Sequence, residues 1–292
     1  MRVTEKMISE NYLYNYDKII ARKTKLQTQI ANNSKIETLS DDLAGSLESI
    51  KVESQRKKTE TYLKNVENAK DFMSRSLQSL ENMTGEIQKI ISAAVSAGDA
   101  LNAQNYGTIA QTIKNSLNAI VQNVNTQQND MYLFGGTNFQ NPPVTLDING
   151  KAVLSTDDLS GEIITQVSQN VKEAINIPGS KVLGTGLFQS INSIIDSLAA
   201  GNEPSQTERT NLENAYKEIL NLQSIGGTTI NRIDDRNEVL KNQLTNLQEL
   251  LVREQGVDVP ALIVDLQNQD YLLQVSYKLL ATAYPKSLFD FL

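Results

Sequence analysis

Residues 230–251 read INRIDDRNEVLKNQLTNLQELL, and this stretch decides the fold class. Its apolar residues recur in alternating steps of three and four, with Asn237 in the one gap: Ile230, Ile233, Leu240, Leu244, Leu247 and Leu251. This heptad spacing keeps one narrow stripe of a helix facing a partner helix. A second stripe follows the break at 255–260, through Ile263, Leu266, Leu273, Tyr277, Leu280 and Tyr284. Neither stripe can bury itself, so the C-terminal segment needs a partner.

The opposite end of the chain carries a matching pattern. Residues 1–40 place apolar side chains at heptad spacing, with Lys23 intruding on the stripe: Tyr12, Tyr16, Ile19, Leu26 and Ile30. The polar run 32–34 interrupts it. This stripe is too polar to hold a partner firmly alone, since helical stability comes mostly from packing. We predict that residues 1–40 and 257–292 pair as a terminal helical coiled-coil domain.

The regions next to these ends predict a helical core domain, residues 41–137 with 187–256. Ser40, Asp41 and Asp42 are N-cap candidates for a helix whose first apolar residues are Leu43, Leu47 and Ile50. The longest regular stripe in the chain then runs from 62 to 97 and predicts a long helix that stops at 96–99. Further helical spacing covers 106–131, 187–198 and 212–222, and the glycine pair at 226–227 leads into the C-terminal stripes.

The middle of the chain differs in composition from both ends. Eight glycines and three of the six prolines lie between positions 135 and 201, which marks a domain boundary near 132–137. Residues 144–153 alternate apolar and polar residues around Asn149-Gly150, a strong hairpin signal. Residues 163–177 predict either further strands or a short helix at 166–174. We therefore predict a small β-containing insert domain at 138–186. The fold class is mainly α, a long antiparallel helical bundle or coiled coil of both terminal segments with this insert in the middle.

The composition argues against an enzyme. The chain has no Cys and no His, which removes thiol nucleophiles, catalytic triads and the commonest metal ligands. Carboxylate-only chemistry stays open, although the paired aspartates are better explained as helix caps and solvated faces. We expect no cofactor and no metal. The net charge of −7, with basic residues interspersed among acidic ones, gives no sign of nucleic-acid or membrane binding. The first residues lack the apolar core of a signal peptide.

The last six residues, SLFDFL, do not fit a chain that acts alone. Two aromatic side chains at a free end would stay in water, so we predict that they pack against a partner. Together with the terminal stripes they form the predicted interaction site: Tyr12, Tyr16, Ile19, Leu26, Ile30, Leu266, Leu273, Leu280, Leu288, Phe289, Phe291 and Leu292.

Several segments resemble one family. They are similar to segments of the bacterial flagellar hook–filament junction proteins (hook-associated protein 3), which are relatives of flagellin. The similar segments are the N-terminal block from 1–4 to 40–42, YLFGGT at 132–137, NRI at 231–233 after the glycine pair, and SLFDFL at 287–292. The resemblance covers the helical portions, while the insert matches only loosely. Leu43 stands where the family usually has proline, and Asn32-Asn33 where a glycine is common.

The resemblance implies a structural role in the flagellum. Such proteins form a homo-oligomeric ring between a hook-side junction protein and flagellin. They are exported unfolded through the flagellar type III system without a cleaved signal peptide, with a chaperone holding the C-terminal segment, and they end up outside the cell. Two alternatives stay open: a flagellin filament subunit, and a cytoplasmic helical signalling or scaffold protein.

Overall fold

The computed structural model describes residues 2–38, 40–138 and 140–283. Long helices account for most of them, so the predicted mainly-α class is confirmed. The helices are α1 (Arg2–Asn32), α2 (Leu43–Ser96), α3 (Tyr106–Val124), α4 (Gly179–Leu183), α5 (Leu187–Ala199), α6 (Gln206–Gln255) and α7 (Val259–Ala283). A short 3₁₀ helix, Ala100–Asn105, joins α2 to α3.

The described strands form three small antiparallel hairpins between α3 and α4. They are β1 (Gln127–Gln128) with β2 (Met131–Tyr132), β3 (Val144–Leu146) with β4 (Ala152–Leu154), and β5 (Ile164–Ser168) with β6 (Val171–Ala174). The predicted Asn-Gly turn joins β3 to β4, and Gly150 has a positive φ of 76° there. The alternative of a short helix at 166–174 is wrong, because β5 and β6 occupy that range.

The described residues divide into two compact units. A terminal unit draws on residues 1–58 and 243–292, and a central unit comprises residues 59–242. Both α2 and α6 contribute residues to each unit. The three-domain division made from the sequence stays a prediction.

The central unit is held together mainly by its larger hydrophobic cluster. It joins α2, α3, α5 and α6, and its largest fully buried side chains include Phe134, Phe188, Met83 and Ile113. Residues of the β-containing segment belong to the same cluster: Val144, Ala152, Leu159, Ile177, Val182 and Leu183. This segment is therefore packed against the helices of its unit through a common core.

Two asparagine side chains tie the β3–β4 hairpin to the helical part of the central unit. The Asn125 amide donates to the Val144 carbonyl at 2.6 Å and accepts from its N–H at 3.2 Å. The Asn192 amide makes the same pair of bonds with Ala152, at 2.8 and 3.0 Å. Each amide thus satisfies a free backbone edge that a two-stranded sheet would leave to water.

The glycine pair at 226–227 does not interrupt helix α6, although the sequence suggested a lead-in between two helices there. A Cβ on Gly226 would lie 2.4 Å from Leu77 Cδ2, whereas one on Gly227 would meet nothing within 4 Å. Glycine costs about 1 kcal/mol relative to alanine inside a helix. At Gly226 that cost is offset by the close approach of α6 to α2.

Candidate functional site

The two ends of the chain pair as antiparallel helices in the terminal unit. The Tyr12 hydroxyl on α1 donates to the Ser276 carbonyl on α7 at 2.9 Å, and the Tyr16 and Tyr277 hydroxyls lie 3.1 Å apart. Nearer the other end of the pair, Lys23 forms an ion pair with Asp270 at 2.6 Å. Residues in the first half of α1 thus contact residues near the end of α7, and Lys23 further along α1 contacts Asp270 earlier in α7, as expected for antiparallel helices.

The tyrosine contacts form a small polar and aromatic cluster on this pair. The rings of Tyr12 and Tyr16 stack with centroids 6.4 Å apart, and Tyr277 meets Tyr16 edge-on at 5.9 Å. The hydrogen bond with Tyr277 raises the pKa of the Tyr16 hydroxyl above its usual value. These ring contacts and hydrogen bonds hold α1 and α7 against each other.

The structure places the predicted α1 stripe on the inward side of the helix. Leu26 is fully buried, and Tyr12, Tyr16, Ile19 and Ile30 are partly buried. The intruding Lys23 is also partly buried, and its pairing with Asp270 explains how a charge fits in the stripe. The N-terminal half of the predicted site is therefore one continuous helix face.

The predicted residues on α7 differ from one another in burial. Leu273 is buried and Leu266 is partly buried. Ile263 and Tyr277, members of the sequence-derived stripe, are largely exposed. The side chain of Leu280 lies outside the described ones, and Leu288, Phe289, Phe291 and Leu292 lie outside the described residues. The role of all twelve residues in interaction stays a prediction.

The terminal helices also carry exposed apolar residues outside the predicted stripes. On α7 these are Val264, Tyr271, Leu272 and Leu279, beside Ile263 of the stripe itself, and on α1 they are Met7, Leu13, Tyr14 and Ile20. The adjacent apolar pairs at 263–264 and 271–272 were the available signal, because one narrow stripe cannot accommodate both members of a pair. Exposed apolar side chains that adjoin one another on a surface are typical of protein-interaction sites.

A short connector, residues 33–42, leads from α1 into α2. It begins with Asn33 in the left-handed region, at a φ of 49°, where asparagine is tolerated better than most residues. The Lys35 N–H then donates to the Gln255 carbonyl, the last residue of α6, at 2.7 Å. This bond satisfies one of the carbonyls that a helix C-terminus leaves free.

Two aspartates fasten the end of the connector. Asp41 accepts hydrogen bonds from the N–H groups of Glu37 and Thr38, and it forms an ion pair with Lys25 of α1. The Lys25 hydrogen bond, followed by that from Thr38, lowers the pKa of the Asp41 carboxyl well below its usual range. Asp42 caps α2 by accepting from the Gly45 N–H at 2.9 Å, so its predicted capping role is confirmed.

The described side chains show no arrangement suited to metal chemistry. Within the part of the chain that the structure describes, no three His, Cys, Asp or Glu residues lie close enough together to hold an ion. None of the described helices is both long and apolar enough to cross a membrane. What the described part of the terminal helices does show is a set of exposed apolar side chains.

Known proteins show the same architecture. The family model of the bacterial flagellin C-terminal helical region matches residues 210–292. A putative flagellar hook-associated protein from Vibrio parahaemolyticus superposes with a TM-score of 0.65 at 19% identity, covering 73% of this chain and 99% of that one. Bacillus cereus FlgL gives 0.59 at 16% identity, covering 69% and 99%.

A third solved structure, flagellar hook associated protein-3 from Legionella pneumophila, gives a TM-score of 0.61 at 14% identity and covers 69% of this chain and 97% of that one. No curated protein matches the chain in sequence. The chain thus shares its fold with these three proteins, two of them named flagellar hook-associated proteins, across nearly their whole resolved length.

Proposed function

We propose that this chain is a structural subunit of the junction between hook and filament of the bacterial flagellum. One observation carries the proposal: a chain with the fold of hook-associated proteins pairs its first and last described helices, and both helices keep several large apolar side chains exposed. The pair resembles half of an interface, and neighbouring subunits of an assembled ring would complete it.

The small core of the terminal helix pair supports this role. Among the described side chains of α1 and α7, the buried hydrophobic ones are Leu26 and Leu273. Burying one large apolar side chain contributes roughly 1.5–3 kcal/mol. Two such residues leave the pair marginal, so burial of the outer side chains against other subunits adds the missing stability. A weak terminal pair also suits export in an unfolded state.

The proposed partners follow from this role. The chain assembles with copies of itself, with a hook-side junction protein and with flagellin, and an export chaperone holds its C-terminal segment before secretion. It reaches the flagellum through the type III export channel and acts outside the cell. It carries out no catalysis there, because its task is to join two tubes.

A flagellin subunit is the second candidate, and the flagellin match over residues 210–292 favours it. Two of the three solved structures described above are named flagellar hook-associated proteins, which favours a place at the hook over one along the filament. The two candidates differ in place and abundance. A junction protein occupies one band at the filament base, whereas a flagellin occupies the whole filament.

Gene deletion with immunogold labelling tests the proposal. We expect the deletion strain to build hooks, to lack attached filaments and to release flagellin into the medium. Antibody against the complemented protein should label one band at the hook–filament boundary. Label along the filament would instead establish the flagellin alternative. Normal filaments in the deletion strain, with the protein confined to the cytoplasm, would refute both.

The C-terminal aromatics give a more specific test of the assembly mechanism. The double variant Phe289→Ser with Phe291→Ser should be exported normally, while few or no filaments attach. Losing both aromatics should weaken each subunit contact by roughly 3–6 kcal/mol. The double variant Leu220→Ser with Ile225→Ser is a matched control, because it removes two exposed apolar residues from α6 in the central unit. Normal filaments with the phenylalanine variant would rule out a docking role for these residues.

A further inference from the structure

In the first turns of α2, which belong to the terminal unit, apolar residues are exposed and polar residues are buried, the reverse of what an isolated chain should show. Leu43, Leu47 and Ile50 are 56–62% exposed. Ser46 and Ser49 are buried, and their hydroxyls find no hydrogen-bond partner among the described residues. Leaving three large apolar residues in water while burying two unpaired hydroxyls costs stability on both counts. A second chain that covers the outer face would remove the cost of the exposed apolar residues.

The outer face of α2 becomes basic beyond Ile50. The side chains of Lys51 and Lys57 are 65% and 70% exposed, although they lie 3.4 Å from Glu48 and 3.7 Å from Glu53 on the same helix. Apolar residues at the beginning of the face are thus followed by lysines one to two turns later. On α2 the apolar residues precede the basic ones. On a helix that packs antiparallel to it, a complementary surface would therefore place an acidic residue before an apolar one.

The outer side of α7 has that composition. Val264 and Leu272 are exposed, and Asp265 is 54% exposed in a long 3.9 Å contact with Arg22. Residues 257–277 contain neither lysine nor arginine, and of their three aspartates Asp258 precedes α7 while Asp270 pairs with Lys23 of α1. The exposed Asp265 precedes Leu272 by seven residues, which is the order that complements Leu43 and Lys51 of α2 in an antiparallel pairing.

We propose that the outer face of α2 in one copy docks antiparallel on the outer side of α7 in the next copy. Leu43 then lies opposite Leu272, and Lys51 lies opposite Asp265. The spacings agree, because eight residues of helix span roughly 12 Å and seven span roughly 10.5 Å. This inference rests on the proposed function and names the contact by which neighbouring subunits meet.

The proposed contact joins two different patches and is therefore heterologous. Such a contact leaves one α2 face and one α7 side free at the ends of any chain of subunits. Repetition closes a ring or continues as a helix, according to the rotation between copies. A contact between identical patches would stop at a dimer, which cannot form a tubular junction.

Cysteine cross-linking tests the contact cleanly, because the natural chain has no cysteine. Leu43→Cys and Leu272→Cys are placed on separate full-length chains that carry different tags and are produced together. Flagella containing both chains are then oxidised. We expect a disulfide-linked dimer that carries both tags. The control replaces Leu43→Cys by Val239→Cys, which is similarly exposed on α6 of the central unit and should cross-link poorly.

Charge reversal checks the direction of the pairing. Lys51→Glu on the Leu43→Cys chain should lower the yield of the mixed dimer by about two- to fivefold, as expected for an exposed ion pair. Asp265→Lys on the Leu272→Cys chain should restore the yield. Restoration identifies the two residues as neighbours across the contact, and loss without restoration contradicts the proposed antiparallel pairing.

Other results would overturn the inference. Predominant Leu43→Cys homodimers would show that α2 meets α2, and a higher yield with Phe289→Cys than with Leu272→Cys would assign the α2 face to the C-terminal segment. Absence of the mixed dimer from flagella that contain both chains would refute the contact and leave the proposed function standing. Absence of the chain from flagella would refute both.

Discussion

Replacing Leu26 by alanine should loosen α1 from the rest of the terminal unit while leaving the central unit folded. Leu26 is completely buried on a helix that is otherwise exposed or half-exposed in its described part. The nearby contacts of α1 with α7 are polar and partly open to water, as the pair Lys23–Asp270 shows. Leu26 is therefore the side chain whose loss should affect α1 most.

The expected magnitude follows from burial. A fully buried leucine replaced by alanine costs about 2–5 kcal/mol, and each 1.4 kcal/mol is about a tenfold change in an equilibrium constant. The opening equilibrium of α1 should rise at least about 30-fold. Helix propensity does not oppose this interpretation, since alanine forms helices at least as well as leucine.

Hydrogen exchange read by mass spectrometry measures this effect in the monomer. Peptides from 10–30 should exchange at least about 30-fold faster in Leu26→Ala, as the opening free energy falls. Peptides from 110–124 in the central unit should be unchanged. Leu13→Ala is the matched control, because Leu13 lies on the same helix with 55% of its surface exposed. Surface changes of this kind alter stability by less than about 0.5 kcal/mol.

Two results would refute the reasoning. Equal acceleration in Leu13→Ala and Leu26→Ala would show that burial in the monomer does not hold α1 in place. Faster exchange throughout the central unit in Leu26→Ala would show that the two units unfold as one.

Two further predictions concern α6 and the connector. Gly227→Ala should stabilise the central unit by about 0.5–1 kcal/mol, whereas Gly226→Ala should gain less or destabilise it because Leu77 must move. Thermal unfolding followed by circular dichroism compares the two variants. Equal gains in stability would contradict the close approach of α6 to α2. The depressed pKa of Asp41 means that its contribution to stability is present above about 3.9, the unfolded value, and is lost as the pH falls through the lower folded value. Asp41→Asn should reproduce that loss at pH 6, seen as faster connector exchange than in the natural chain, and identical exchange would show that the ion pair with Lys25 does not fasten the connector.

Local patterns in the sequence determined most of the secondary structure. The stripe from 62 to 97 predicted the helix that ends at Ser96, and Asn149-Gly150 predicted the β3–β4 hairpin. The pairing of the chain ends was also predictable, since two incomplete stripes separated by the rest of the chain need each other. Each of these inferences used spacing or turn chemistry, which act within a few residues.

Packing between distant residues decided the features that local patterns missed. The 226–227 glycines looked like a helix boundary, but the neighbouring Leu77 explains why a small residue stands inside a continuous helix. Likewise, the Asn125 and Asn192 side chains gave no sign in the sequence that they bind strand edges. Such contacts depend on residues far apart in the chain and leave no periodic signal.

The sequence by itself determined that the terminal segments are helices, each with an apolar stripe that needs another helix to cover it. Only the tertiary structure decided which apolar residues the chain buries itself and which it leaves exposed. Heptad spacing placed Leu273, which is buried, on the stripe, but it placed Ile263 there too, which is exposed, and it did not show that Leu47 faces outward beside buried Ser46. The physical reason is that hydrophobicity is a property of each side chain, whereas burial depends on which surfaces the rest of the fold supplies.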